Sequence, residues 1–142
     1  MSQRSGAAGL GGLVGASVLI SAYIHGELYA EGMAQTPIIG PLFLLNAAGG
    51  LVIGLAVLFW RHWLPMLGAL GFGVLTLGGY VMAVTVGLFG LKEQVAGLPA
   101  LAAAITELIA IVGAIVWLAA AARGRARTGE RAARRSTSHA PV

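Results

Sequence analysis

The chain has 142 residues, of which 58% are hydrophobic and only 10% charged, with a formal net charge of +4. A water-soluble domain carries about 25% charged residues, so the composition excludes an ordinary soluble fold, and the length leaves room for one compact unit. Cysteine is absent, which removes disulfides, thiolate metal sites and cysteine nucleophiles from consideration.

Four apolar stretches take up most of the chain: residues 10–30, 39–60, 64–90 and 98–122. A helix needs about 20 mostly apolar residues to cross a bilayer, and each stretch meets that length. The short connections between them make sequential helices antiparallel neighbours. The expected fold is therefore an all-α membrane protein, an up-down-up-down bundle of four transmembrane helices over residues 1–122, followed by a tail at 123–142.

The first stretch is preceded by Arg4 and exceeds the apolar length of a signal peptide, and Tyr29-Ala30-Glu31 is a poor cleavage neighbourhood. It is expected to stay as a helix. Ser17, Ser21, His25 and Tyr29 recur in it every four residues and so share one face. Gly32 and Pro37 mark the connection that follows. In the second stretch, Asn46 falls on a stripe with Gly50 and Gly54. Arg61-His62-Trp63 is a tight turn, and Pro65 suits the first turn of the third helix, where its missing N–H costs nothing. The third stretch carries Gly68, Gly71, Gly73, Gly78 and Gly79, with Thr76 and Tyr80 four apart and Thr85 further on. The fourth holds Thr106 and Glu107, and Glu107 is the one carboxylate well inside a span.

Glycine is frequent, at 22 residues. In lipid, small residues let helix backbones approach. Gly11-x-x-x-Gly15 and Gly50-x-x-x-Gly54 have the spacing for close crossings within the chain; a homodimer or a partner membrane protein is the other use of such faces.

After Ala122 the composition turns to Arg, Gly, Thr, Ser and Pro. Such a tail buries too little apolar surface to offset its ordering entropy, so residues 124–142 read as largely disordered; the alternative is a helical extension as far as about Ala133, since alanine and arginine are good helix formers. Its arginines follow directly on a span. That placement points away from nucleic acid and toward anionic lipid headgroups, with Arg123, Arg125 and Arg127 nearest the membrane; each contributes about 1 kcal/mol near the surface.

Charge asymmetry sets the expected orientation. With both termini inside, Arg4, Arg61, Arg123, Arg125, Arg127, Arg131, Arg134 and Arg135 are cytoplasmic, against Lys92 outside. Lys and Arg near helix ends decide topology. Glu27, Glu31 and Glu93 then fall on the outer side.

Polar groups at membrane depth are costly and face the bundle interior by default. Counted from the outer helix ends at 1.5 Å per residue, His25, Asn46, Glu107 and Tyr80 lie roughly 7, 10, 13 and 15 Å down. They form one candidate layer for a ligand or a proton, with Glu27, Glu31 and Glu93 at its mouth. An isolated carboxylate in hydrocarbon costs about 2.5–3.5 kcal/mol, so Glu107 is expected to be neutral or paired, and His25 is the nearest partner in depth. One histidine and one buried acid fall short of a zinc ligand set, and a haem lacks a second histidine at that depth. No Walker loop, nucleophile elbow or H-E-x-x-H is present. No cofactor is therefore expected.

The run Ala22-Tyr23-Ile24-His25-Gly26-Glu27-Leu28-Tyr29, the run Thr36-Pro37-Ile38-Ile39-Gly40-Pro41-Leu42-Phe43-Leu44-Leu45-Asn46, the segment Thr85-Val86-Gly87-Leu88-Phe89-Gly90-Leu91-Lys92-Glu93 and the buried Glu107 resemble a group of uncharacterised four-helix integral membrane proteins common in actinobacteria. The resemblance implies a four-helix fold in the bacterial cytoplasmic membrane and carries no activity with it. The expectation is a non-catalytic accessory or structural membrane protein; the alternative is a ligand- or proton-coupled binding or transport protein that uses a His25/Glu107 pair.

Overall fold

A computed structural model describes residues 2–60, 62–87, 89 and 97–138. Arg61, Lys92, Glu93 and His139 lie outside the described residues. The described chain forms four helices, α1 (Ser2–Glu31), α2 (Ile39–Phe59), α3 (Trp63–Thr85) and α4 (Leu98–Ser138), with a single 3-10 turn, Met33–Gln35, between α1 and α2. All four are long and apolar enough to cross a membrane.

The side chains are distributed inside out relative to a soluble bundle. Leu75 is 78% exposed and Leu45 68%, and leucine, isoleucine and valine cover the outer face of every helix. In water such a surface would be an aggregation site; in a bilayer it meets acyl chains. The interior is built from smaller groups, with Val14, Val18, Ala69, Ala110 and Ala114 fully buried beside Met66 and Phe72.

Helices associate in lipid through packing rather than through the hydrophobic effect, and glycine sets how close they come. At α1 and α2, a Cβ on Gly54 would lie 3.2 Å from the carbonyl oxygen of Gly15, and one on Gly15 would lie 3.3 Å from that of Gly54. A Cβ on Gly50 would come within 2.8 Å of both the Ala22 methyl and the Phe72 ring. Gly15, Gly50 and Gly54 thus serve crossings within the chain. Gly11 sits looser, with its nearest neighbour, Met66, in ordinary contact.

The helices form a ring in chain order: α1 packs against α2 and α4, and α3 packs against α4 and, more thinly, α2. Across one diagonal α1 and α3 approach over a short stretch, while across the other no described Cα of α2 comes within 8 Å of one of α4. This is the expected up-down-up-down arrangement with one loose side.

Three boundaries differ from the sequence reading. Helix α3 ends at Thr85, not at residue 90, because Gly87 adopts a left-handed φ of 88° and the Met82 carbonyl accepts from both Val86 and Gly87 N–H. Glycine adopts that conformation without steric penalty and so stops the helix inside an apolar run. Helix α1 starts at Ser2. Helix α4 continues past Ala122 to Ser138, where the composition reads as disorder; alanine and arginine are strong helix formers, and residues 122–131 are exposed, so the extension leans on propensity rather than on burial.

The connection into α2 is tightly folded. Ile38 has φ 67° and lies at the centre of a γ-turn closed by Ile39 N–H donating to the Pro37 carbonyl over 2.8 Å. This is the strained form of that turn. Gly40 follows with no room for a side chain: a Cβ there would sit 2.7 Å from the Met33 carbonyl oxygen and 2.9 Å from that of Ala34. The connection is thereby folded down onto the start of α2.

Candidate functional site: a pocket at the connector end of the bundle

The α2–α4 diagonal leaves space, and that space is a pocket of about 820 Å³. His25 of α1, Asn46 of α2, Tyr80 of α3 and Glu107 of α4 all line it. The candidate layer read from helix depth is thus brought together in one cavity. Most of the remaining wall is apolar, including Phe43, Phe72 and Leu75, and Met33 of the connection borders it. Several wall positions are glycines. A Cβ on Gly71 or Gly49 would meet nothing within 4 Å, so these residues hold the pocket open rather than helices together.

Glu107 is 1% exposed. Its Oε1 accepts from the Ser21 hydroxyl at 3.0 Å, which ties α4 to α1. Its Oε2 is buried and has no hydrogen-bond partner among the described residues. A buried polar atom without a partner forfeits its hydration, at a cost of about 1–3 kcal/mol and more if charged, so Oε2 is the least satisfied atom of the site.

His25 is 8% exposed. Its Nδ1 lies 2.8 Å from the Ser21 carbonyl oxygen. A carbonyl only accepts, so Nδ1 carries the proton and donates. In the neutral ring Nε2 is then a lone-pair acceptor. The ring leans against Phe43, with centroids 5.1 Å apart and planes tilted 50°, which fixes its direction.

The expected direct pair between His25 and Glu107 is not formed. Ser21 stands between them: its carbonyl holds the histidine one turn along α1, and its hydroxyl reaches the glutamate across to α4. The stripe of Ser17, Ser21 and His25 does face inward, but the residue in contact with the acid is the serine, the shorter of the two candidates.

A second polar contact joins α2 to α3. The Thr76 hydroxyl lies 3.1 Å from Asn46 Oδ1 and 2.7 Å from the Phe72 carbonyl oxygen; its single proton serves one acceptor at a time. Both Thr76 and Asn46 line the pocket. Thr85 and Thr106 bond instead to carbonyls of their own helices. Glu27 and Glu31 are exposed and are not among the lining residues, while Glu93 falls outside the described residues. Arg123, Arg125 and Arg127 are exposed on the extension of α4, far along the chain from the pocket. Among the described residues, no three histidines or carboxylates gather as a metal would require.

The site therefore offers two polar atoms without a partner among the described residues, Glu107 Oε2 and His25 Nε2, in a half-open pocket of aromatic and apolar side chains. It can hold a lipophilic molecule by its hydrocarbon body and orient it by a hydrogen-bond donor at one end. No family model, curated protein or solved structure matches this chain.

Proposed function

We propose that this chain is a non-catalytic membrane protein that holds a small lipophilic ligand in the pocket between its helices. The observation that carries the reading is the Oε2 of Glu107, buried without a hydrogen-bond partner among the described residues, on a residue that lines a pocket of about 820 Å³. That volume is in the range of cavities that take small molecules, which are mostly apolar with a few placed polar groups. A carboxylate kept at membrane depth without a full set of partners is a site by default.

The test is occupancy. Gly71→Phe places a ring in the space that a Cβ at Gly71 leaves empty. Protein purified in mild detergent is expected to carry a co-purifying small molecule in native mass spectrometry, and Gly71→Phe is expected to lack it at unchanged melting temperature. An identical mass spectrum for the two proteins would end the reading.

A structural accessory role is the second reading, and one observation favours it. The Ser21–Glu107 and Asn46–Thr76 contacts each join two helices, as polar pairs do when they only fix helix order.

The same proposal places the chain in a bacterial cytoplasmic membrane, as a member of the actinobacterial four-helix group that it resembles, with both termini cytoplasmic. The arginine bias along the chain supports this orientation. Arg123, Arg125 and Arg127 then lie against anionic headgroups. A C-terminal alkaline phosphatase fusion is expected to be inactive in intact cells. Homodimerisation has less support, since the glycine faces of α1 and α2 are used within the chain.

A further inference from the structure

We infer that the ligand is a lipophilic amine, held by an N–H bond from its nitrogen to Glu107 Oε2 with its apolar body against the aromatic wall. The inference rests on the ligand-holding reading above and adds the chemistry of the ligand's head.

Three features converge on it. The first is the hydrogen-bonding pattern. Oε2 of Glu107 has no partner among the described residues, and Nδ1 of His25 is occupied by the Ser21 carbonyl, which leaves Nε2 as an acceptor. A neutral carboxyl carries its proton on Oε2, since Oε1 accepts from Ser21, and an ionised one only accepts; an amine satisfies Oε2 in both states, its nitrogen taking the acid's proton and then donating N–H back to the carboxylate. The second is charge. Among the described residues neither lysine nor arginine lines the pocket, so none of them sets a cation against the buried acid. An amine supplies it: one proton shared between the nitrogen and Oε2 leaves the pair with no net charge, the condition under which ionisable groups are tolerated in hydrocarbon. The third is the wall. Phe43, Phe72 and Tyr80 line the pocket, and aromatic faces attract cations. A quaternary ammonium would use the rings but has no N–H for Oε2. An alcohol would donate to Oε2 but brings no charge. An amine does both.

The experiment uses the full chain in lipid nanodiscs, with empty nanodiscs subtracted, and three probes that share one body: 4-phenylbutylamine, 4-phenylbutanol and trimethyl(4-phenylbutyl)ammonium. Binding is read by titration calorimetry. Charge-assisted hydrogen bonds are about twice as strong as neutral ones, so the amine is expected to bind roughly tenfold more tightly than either control. Glu107→Gln keeps the shape of the side chain and an acceptor for Ser21, and is expected to bring the amine down to the level of the alcohol. Should the alcohol match the amine in the unmodified protein, or the Gln variant keep the amine preference, the amine assignment falls and the pocket reading stands. Should no probe bind above empty nanodiscs, while Gly71→Phe and the unmodified protein carry the same molecules, both fall together.

Discussion

The two ends of this bundle are built from the same four helices and could hardly be packed more differently. At one end, Val14 and Val18 of α1, Met66 and Ala69 of α3, and Ala110 and Ala114 of α4 close on one another and are all buried. At the other, beneath the α1–α2 connection, the helices border a half-open pocket of about 820 Å³. Phe72 belongs to both, as part of the closed core and of the pocket wall. The difference lies in how small residues are used. At the closed end a glycine or alanine is small because a neighbouring helix occupies the space; Gly113, for example, has the Val14 side chain against it. At the hollow end Gly49 and Gly71 are small with nothing against them. Composition cannot separate the two uses, since both read as glycine in an apolar helix.

The strongest way to break this comparison is to put volume at each kind of glycine. Gly50→Val drives a branched side chain into the Ala22 methyl and the Phe72 ring, both of which already stand 2.8 Å from a Cβ. The methyl of an alanine cannot rotate away, so the α1–α2 crossing must open. Overpacking of this kind costs about 1–3 kcal/mol, and the expected result is a lower melting temperature or loss of the monodisperse peak in size-exclusion chromatography. Gly71→Ala is the counterpart. It meets nothing within 4 Å, and alanine favours the helix over glycine by about 1 kcal/mol, so the melting temperature is expected to hold or rise. Equal damage from the two would mean that the hollow end is not hollow.

The polar contacts sharpen the same contrast at a smaller scale. Ser21→Ala removes the only hydrogen-bond partner that the Glu107 carboxyl has among the described residues, leaving both its oxygens orphaned at a site 1% exposed. Its expected cost is about 1–3 kcal/mol, the range for a buried group left unsatisfied. Thr76→Val removes a contact to the half-buried Asn46, and interhelical hydrogen bonds in membranes average about 0.6 kcal/mol. Denaturant titration in mixed micelles should therefore separate the two variants, with Ser21→Ala the more damaged. The reverse order would place the weight of the bundle on α2 and α3 instead of on α1 and α4.

Much of this architecture is legible in the residues, because bilayer thickness is a stringent ruler. A run of apolar residues either reaches across or does not, and the four spans follow from that alone. The convergence of His25, Asn46, Tyr80 and Glu107 is legible for a related reason: antiparallel helices of known rise put residues at comparable depth, and a polar group at depth turns inward. Contacts finer than depth are not. Helical periodicity places Ser21 and His25 on one face, but only the crossing of α1 and α4 decides that the serine, not the imidazole, reaches the carboxylate. The same limit hides the Asn46–Thr76 contact, which depends on the thin side of the ring. Hydropathy also passes over the end of α3, since Val86 and Gly87 remain apolar while the backbone at Gly87 reverses to positive φ. The connection at Ile38 escapes as well: a branched residue with φ 67° is held by surrounding geometry against its own preference.

The least consequential region for the bundle is the distal extension of α4. Residues 122–131 are exposed, and the Thr128 hydroxyl turns back to the Gly124 carbonyl of its own helix. A stretch of helix such as 122–131, exposed at every residue, gains little from packing and stands on propensity, which sums only tenths of a kcal/mol per residue. Truncation after Arg127 keeps Arg123, Arg125 and Arg127 beside the span, where basic residues act on topology. It removes the part of the helix that extends furthest from the membrane, beyond the roughly 8 Å over which charges act at physiological salt. The expected change in stability is within about 0.5 kcal/mol, read as an unshifted melting curve, with the pocket variants behaving as they do in the full chain. A marked drop in melting temperature would show that the extension folds back onto the bundle or is held by a partner, and the division into a closed end, a hollow end and an outlying helix would have to be redrawn.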